Sequence, residues 1–246
     1  MRLSRRQLLV GAALLAGCRG GARALRGAAA SDLEPAFTEL TAEFSAATGR
    51  QVVWSFASSG SLTQQLEHGA PFDLFASAST AFIDRLRQHG RLLAGSQRDF
   101  ARGRLVIWTR PGVAPPRTLA ELLRPDLGRI ALANPEHAPY GQAAVAALRK
   151  GGLYEALRPR LVFAENVRQA LQFAQTGNTD VALTARALMR PADSYAVVPA
   201  SEHPPLVATL GAVQGGDAAG AAALAGFICG PRGQAILGRH GFEPIT

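Results

Sequence analysis

Cysteine is scarce in this 246-residue chain, which holds only Cys18 and Cys229. If Cys18 carries a lipid, Cys229 is left alone and no disulfide framework is possible. The two cysteines form no C-x-x-C pair, so a structural zinc or redox site is unsupported. We interpret Cys229 as a buried apolar residue, the commonest role of a free cysteine. Aromatic residues make up only 7% of the chain. They do not alternate with arginines as a base-stacking surface requires, so nucleic-acid binding is not expected.

Lysine is nearly absent, since Lys150 is the only one and 26 − 1 = 25 of the basic residues are arginines. The formal charge is +8, but residues 1–23 hold five arginines and no acid, so the remaining chain carries 8 − 5 = +3. The positive charge is therefore largely a feature of the N-terminus. With 48% apolar residues, the chain is too hydrophobic for disorder and long enough for one large core or two lobes.

The first 23 residues have the layout of an export signal. A basic start is followed by an apolar run at 8–16 that is too short to span a bilayer. SRRQLL at 4–9 resembles a twin-arginine signal, and LAGC at 15–18 resembles the lipobox of bacterial lipoproteins, whose cysteine, here Cys18, is acylated. These motifs predict a lipid-anchored protein of the periplasm or of the outer face of a membrane. The alternative is an ordinary cleaved signal with Cys18 as a small buried residue.

From residue 24 onward, short apolar runs alternate with helical patterns, which is typical of an α/β fold with a mainly parallel sheet. Strands are predicted at 24–30, 52–57, 72–76, 104–109, 130–133, 161–164, 181–184 and 206–213. Helices are predicted after Ser31 up to Gly49, at 61–68, at 80–89 and, with a break near Gly230, at 218–239. We expect two interwoven lobes joined by crossings near Gly103 and Pro205. Residues 24–103 and 206–246 then form lobe 1, and residues 104–205 form lobe 2.

Four predicted strands end in small or polar residues directly before a helix begins. These junctions contain Ser31, the Ser58-Ser59 pair, Tyr140 and Val167. Helix starts offer unpaired backbone N–H groups and a partial positive charge, so several that converge on one point would bind an anion without any formal cation. Each junction also has a simpler interpretation. The serines can be helix caps or turn residues, and the tyrosine can be a buried ring.

Motifs of enzymes are weak. A G-x-S-x-G elbow is missing because Ala57 stands before Ser58 and Ser59, and no phosphate-binding glycine loop follows a strand. The five histidines are scattered without metal-ligand spacing, and we interpret them as solvated or capping residues. Asp73 interrupts an apolar strand. We interpret it as a buried structural acid that bonds to nearby backbone, in preference to a catalytic carboxylate.

The same four junctions resemble those of the substrate-binding proteins of bacterial molybdate ABC importers. The resemblance covers nearly the whole chain from about residue 28 to 242, in the family's order. The matching stretches are AAS at 29–31, FASSGSL at 56–62, GAPFDLFASA at 69–78, NPEHAPYG at 134–141, ENVRQAL at 165–171, GP at 230–231 and GF at 241–242.

The resemblance implies a type II periplasmic binding protein fold, two α/β lobes that close on an oxyanion. It also implies that the ligand is held by the hydroxyls and amides of Ser31 and Ser59, by Tyr140 and by the Val167 amide. One branch of the family has a further tyrosine where this chain reads Ala185, so Tyr140 is expected to supply the phenol. Asp32 is expected to point outward from the first helical turn, where it suits the helix dipole. The stretch from Ser31 to Glu34 fits a capping box, in which the serine and the glutamate cap the helix start.

A fully ionised tetrahedral anion offers only acceptors, so a dry site built only of donors rejects protonated phosphate. The leading hypothesis is a monomeric, non-enzymatic receptor for molybdate or tungstate, without a cofactor, that serves the membrane subunits of an ABC permease. A receptor for another oxyanion such as sulfate is the alternative within the fold. A secreted serine hydrolase using Ser58 or Ser59 is the alternative of a different class, which the missing elbow and the absence of a paired histidine disfavour.

Overall fold

The computed structural model describes residues 23–245, which form two lobes, each with a five-stranded sheet and helices on its faces. The lipobox cysteine Cys18 and nearly all of the predicted export signal lie outside the described residues. Within the described part, no helix has the length and apolar character needed to cross a membrane.

The sheet of lobe 1 has the strand order β2-β1-β3-β10-β4. Its strands are β1 Leu25–Ala30, β2 Val52–Ala57, β3 Leu74–Ser77, β4 Arg98–Arg102 and β10 Val207–Ala212. β1 pairs in parallel with β2 and β3, whereas β10 runs antiparallel to both β3 and β4. The carboxyl ends of β1 and β2 therefore lie at one edge of this sheet, where the first two junctions are found.

The sheet of lobe 2 repeats this plan in the order β7-β6-β8-β5-β9. Its strands are β5 Leu105–Thr109, β6 Ile130–Ala133, β7 Leu161–Ala164, β8 Val181–Ala185 and β9 Tyr195–Val197. β6 pairs in parallel with β7 and β8, and β5 is antiparallel to β8 and β9. Both sheets are therefore mixed. Four of the five strands in each point in one direction, which fits the predicted mainly parallel sheet, and a single strand, β10 in lobe 1 and β5 in lobe 2, runs against them.

Helices follow most of the parallel strands. The α-helices are α1 Glu34–Thr48, α2 Ser59–Glu67, α3 Thr80–Gln88, α4 Pro139–Lys150, α5 Tyr154–Leu157, α6 Val167–Gln175, α7 Ala218–Cys229 and α8 Pro231–Arg239. A 3-10 turn at Ser31–Leu33 precedes α1, and another at Arg186–Leu188 follows β8. The helix after β2 begins at Ser59, two residues before the predicted start, because the Ser58 side chain caps it by accepting the Ser61 N–H.

The chain passes between the lobes at two crossings that lie side by side. The first connects β4 to β5 and the second connects β9 to β10, and the Gly103 N–H donates to the Leu206 carbonyl at 2.8 Å between them. One cluster of buried side chains runs through both lobes, from Phe37 on α1 to Leu132 on β6. Two adjacent backbone crossings leave the lobes free to rotate about a hinge.

Cys229 is only partly buried at the end of α7, where it packs beside the same cluster and forms no disulfide. The prediction of a buried apolar residue is therefore met in part, because Cys229 packs against the core but keeps some exposure. Burial raises the pKa of its thiol, which lowers its reactivity as a nucleophile.

Asp73 is a structural acid, as predicted. Its carboxylate is 1% exposed, accepts the backbone N–H groups of Arg26 and Asp217, each at 2.8 Å, and pairs with the Arg23 guanidinium at 2.5 Å. Burial by itself raises the pKa of Asp73, but these donors outweigh it and lower the pKa to about 2. The carboxylate thus connects the start of β1 to the loop before α7.

Acid is expected to remove the stabilisation that Asp73 supplies. The folded pKa of Asp73, about 2, lies below the value of an unfolded aspartate, so its contribution of about 2 kcal/mol is complete above about pH 4 and is lost as pH falls toward 2. Urea unfolding of the wild type and Asp73→Asn should show a larger difference in free energy at pH 6 than at pH 3. An equal difference at both pH values would contradict this assignment.

Candidate functional site

The four junctions meet at one small cavity between the lobes. Ser31, Ser59, Tyr140 and Val167 all line it, although they come from four different elements. The lining consists of Ala30, Ser31, Asp32, Ala57, Ser58, Ser59, Ala78, Ala138, Pro139, Tyr140, Asn166 and Val167. The structure therefore brings together every residue that the sequence predicted for a ligand site, two from each lobe.

Lobe 1 presents two serines at helix starts. Ser31 begins the 3-10 turn after β1 and is 4% exposed, and Ser59 is the first residue of α2 and is completely buried. Ser59 Oγ accepts the Ala78 N–H at 3.1 Å. In this hydrogen bond Ser59 Oγ is the acceptor, so the hydroxyl proton takes no part in it and can point into the cavity.

Lobe 2 presents the amide of Val167 at the start of α6. The Asn166 side chain caps this helix by accepting the N–H groups of Arg168 and Gln169, at 3.1 and 3.0 Å. The N–H of Val167 is left without a partner in the described part of the chain. A helix N-terminus with one uncapped amide facing a cavity is a site for an anion.

Tyr140 enters the cavity from α4 and reaches the hinge. Its ring is 2% exposed, and its hydroxyl approaches the first crossing so closely that a Cβ on Gly103 would lie 2.1 Å from Oη. Glycine at position 103 is thus required for the tyrosine to fit. Burial raises the pKa of Tyr140 far above its usual value, and the nearby Asp32 carboxyl raises it further, so the phenol stays neutral and keeps its proton to donate.

Asp32 also lines the cavity, which contradicts the prediction that it points outward. Its side chain is 1% exposed, and the 3-10 turn has no side-chain cap, so the expected capping box with Ser31 does not form. A 3-10 turn has three residues per turn, and here all three of its residues are buried. Burial raises the pKa of Asp32 to about 6, against smaller lowering contributions from the Tyr140 hydroxyl and its own backbone amide.

The two lobes are closed over the cavity by contacts that cross the cleft. The Gly60 N–H on α2 donates to the His137 carbonyl at 2.8 Å, and Ser61 Oγ donates to Glu165 Oε1, also at 2.8 Å. A third contact joins Glu34 of α1 to Arg168 of α6 at 2.5 Å. A Cβ on Gly60 would lie 2.6 Å from both the His137 carbonyl oxygen and Cβ, so the lobes come this close only because residue 60 is glycine.

One histidine does pair with a serine, contrary to prediction. His137 Nδ1 lies 3.0 Å from Ser58 Oγ, and its Nε2 is 3.7 Å from Glu165 Oε2, which is beyond hydrogen-bond distance. The Ser58 hydroxyl donates to Ser61 Oγ at 2.7 Å and is 3% exposed. A serine that caps a helix and donates to a neighbouring hydroxyl is not presented for attack on a substrate.

No lysine, arginine or histidine lines the cavity within residues 23–245, and the same residues contain no group of three His, Cys, Asp or Glu side chains placed to hold a metal ion. The donors are instead hydroxyls and helix N-terminal amides. No sequence pattern indicates that Gly60 and Gly103 make room for His137 and Tyr140, or that the Ala78 N–H donates to Ser59 Oγ. The capping preference of asparagine is the one local signal that pointed to Asn166.

Comparisons with known proteins are consistent with this site. The model of the bacterial extracellular solute-binding protein family matches residues 25–243. The molybdate-binding protein ModA of Azotobacter vinelandii is 36% identical over 74% of this chain and 72% of its own length, and that of Rhodobacter capsulatus is 33% identical over 87% and 85%. The solved structure of the Azotobacter vinelandii periplasmic molybdate-binding protein has a TM-score of 0.85 at 29% identity, covering 90% of this chain and 100% of that one. The family match includes all four junctions.

Proposed function

The chain belongs to the family of bacterial extracellular solute-binding proteins, and on that basis we propose that it captures molybdate or tungstate outside the cytoplasmic membrane and delivers it to an ABC importer. The observation that carries the proposal is the cavity in which hydroxyls and helix N-termini from both lobes converge. Such a cavity suits a small anion rich in acceptor oxygens.

The proposed ligand contacts are the hydroxyls of Ser31, Ser59 and Tyr140 and the amide of Val167. Each is a donor at the cavity wall, and none carries a formal charge. Because they come from both lobes, the anion would connect the lobes and stabilise the closed form, which the membrane subunits of the permease would recognise. Sulfate is the alternative ligand. It is smaller than molybdate, so closure around the larger anion would leave its oxygens short of these donors.

We also propose that the protein is a monomer that needs no cofactor and catalyses no reaction. The buried, capping role of Ser58 and the binding proteins among its relatives support the absence of catalysis. A fluorophosphonate probe, which labels activated serines, should leave the protein unmodified. Labelling of Ser58 or Ser59 would favour the hydrolase alternative.

Export by the twin-arginine route and lipid attachment at Cys18 complete the proposal. The family description as extracellular supports a location outside the cytoplasmic membrane. Mass spectrometry of the membrane fraction would detect a diacylglyceryl group on an N-terminal cysteine. A mature chain that begins elsewhere would contradict the anchor.

Ser59→Ala is expected to weaken molybdate binding by about ten-fold or more, because a hydrogen bond to a charged group contributes about 1.5 to 3 kcal/mol. The substitution also leaves the buried Ala78 N–H without its acceptor. Calorimetric titration measures the change. Ser201→Ala, at an exposed position far along the chain, is the control, and equal affinities for the two variants would remove Ser59 from the site.

A thermal-shift scan over molybdate, tungstate, sulfate and phosphate tests the proposed function. A ligand at a thousand times its dissociation constant stabilises by about 4 kcal/mol, which raises the Tm of a protein of this size by roughly 10 °C. Molybdate and tungstate should give the largest shifts. A larger shift with sulfate would make the protein a receptor for that anion, and no shift with any of the four would contradict an oxyanion receptor.

A further inference from the structure

Asp32 is an acceptor inside a cavity of donors. Its carboxyl is 1% exposed, and neither oxygen has a hydrogen-bond partner among residues 23–245. The Tyr140 hydroxyl, also buried, lies near enough to lower the pKa of Asp32, but it is not in hydrogen-bond geometry with that carboxyl or with any other group among the described residues. Buried polar groups are normally satisfied, so two unpartnered groups on the wall of one small cavity indicate that they act on what the cavity binds.

No cation compensates for this carboxyl, which forms no salt bridge in the described part of the chain. Tyr140 is the other titratable group on the cavity wall. The elements packed around the 3-10 turn carry Glu34, Glu39 and Glu43 on α1, Arg168 on α6 and Arg186 after β8, and His137 lies beyond Ser58. Glu34 and Arg168 neutralise each other as a pair, and His137 is bonded to Ser58. None of these charges contributes to the shift in the pKa of Asp32, so the buried carboxyl is uncompensated.

An ionised Asp32 would face the ligand oxygens acceptor to acceptor. Both groups would carry negative charge, and in a buried site such repulsion is screened far less than in water. The arrangement becomes favourable when one proton lies between the carboxyl and the ligand, since the acceptor pair then turns into a donor and an acceptor. The sequence predicts a site built only of donors, and this prediction is wrong at one position, because Asp32 adds an acceptor to the cavity wall.

We propose that Asp32 is a specificity-determining residue, because the cavity binds an oxyanion together with one proton, which is shared between the Asp32 carboxyl and the nearest ligand oxygen. The inference rests on the proposed function, since it assumes that the cavity binds an oxyanion. The same chemistry is satisfied by two kinds of ligand, which differ in where the proton comes from.

A fully ionised anion such as molybdate or sulfate brings no proton. One must then come from solvent onto an Asp32 oxygen, from which the carboxylic acid donates to the ligand. Hydrogen phosphate brings its own proton and can donate it to the ionised carboxylate. In both cases the Tyr140 hydroxyl can donate to the ligand.

The burial that raises the pKa of Asp32 to about 6 fixes the expected pH dependence. Above that pH the free protein holds an ionised carboxylate, and binding of molybdate must take up one proton. The dissociation constant for molybdate should therefore rise about ten-fold for each pH unit between pH 7 and 9. The affinity for phosphate, which keeps one proton between pH 8 and 9, should change little over that interval.

The test is isothermal calorimetry of the wild-type protein with molybdate at pH 8, in two buffers that differ in ionisation enthalpy. The difference in measured heat gives the number of protons exchanged, and the expected result is an uptake close to one per anion. Asp32→Asn keeps the size of the side chain and removes the titration. This variant should take up no proton and should bind molybdate more tightly than the wild type at pH 8, with an affinity that is independent of pH.

Asp84→Asn, at a surface position paired only with Arg87, is the matched control and should keep the wild-type proton uptake. The wild-type proton count tests the proposal even without a variant. Tight molybdate binding with no proton uptake and no change in affinity from pH 7 to 9 would overturn the role of Asp32 and leave the proposed function standing. No heat with molybdate, tungstate, sulfate or phosphate at any pH between 5 and 9 would overturn both.

Discussion

Gly60→Ala is expected to weaken molybdate binding by about a hundred-fold or more without destabilising the ligand-free protein. The added Cβ would lie 2.6 Å from the His137 carbonyl oxygen and so prevents α2 from reaching lobe 2. The Gly60-to-His137 and Ser61-to-Glu165 hydrogen bonds are lost with the closed form. Hydrogen bonds of about 1 kcal/mol each, together with ligand donors that no longer converge, account for roughly 3 kcal/mol, which is a hundred-fold in affinity.

The same substitution separates closure from folding. Position 60 lies in the first turn of α2, where alanine forms helix better than glycine by up to about 1 kcal/mol. The Tm of the ligand-free variant should therefore equal or slightly exceed that of the wild type. Gly226→Ala in α7, where an added Cβ meets nothing within 4 Å, is the control and should leave binding unchanged. Wild-type affinity in Gly60→Ala would show that the contacts across the cleft do not govern binding.

Val167→Pro is expected to weaken molybdate binding by about 10- to 100-fold, because it removes the backbone donor that faces the cavity. A hydrogen bond from an N–H to a charged group contributes about 1.5 to 3 kcal/mol. Val167 is the first residue of α6, the helix position at which proline is best tolerated. Asn166 has φ −151° and ψ 173°, an extended conformation that suits the residue before a proline. The helix should therefore persist.

Val167→Ala is the matched control for this variant. It shortens the side chain but keeps the N–H, so it should lower the Tm through lost packing and retain most of the affinity. Calorimetry and thermal unfolding of the two variants measure both effects. If alanine weakened binding as much as proline does, the side chain and not the amide would be the contributing group.

Much of the fold follows from local sequence patterns. Eight predicted strands are found, and α1 ends at Gly49 as expected. The two missed strands carry weak patterns, since β4 has three charged residues out of five and β9 is only three residues long. They exist because neighbouring strands pair with them. The same long-range pairing makes the sheets mixed, which periodicity along the chain does not specify.

The candidate site was predictable where it depends on helix starts, and unpredictable where it depends on contacts between distant residues. Ser31, Ser59 and Val167 follow strands and open helices, and the family was recognised from the motifs around them, as the match over residues 25–243 confirms. The orientation of Asp32 was missed because a 3-10 turn takes the place of the expected α-helical start. The contact of His137 with Ser58 joins residues 79 positions apart, and no local sequence pattern predicts it.

The most direct test of the central claim is a calorimetric titration of the purified protein at pH 7 with molybdate, and in parallel with sulfate. We predict one molybdate bound per chain, with an affinity clearly higher than that for sulfate, and weaker binding by Gly60→Ala and Val167→Pro. Absence of heat with molybdate, or tighter binding of sulfate, would contradict the assignment of this cavity as a molybdate site.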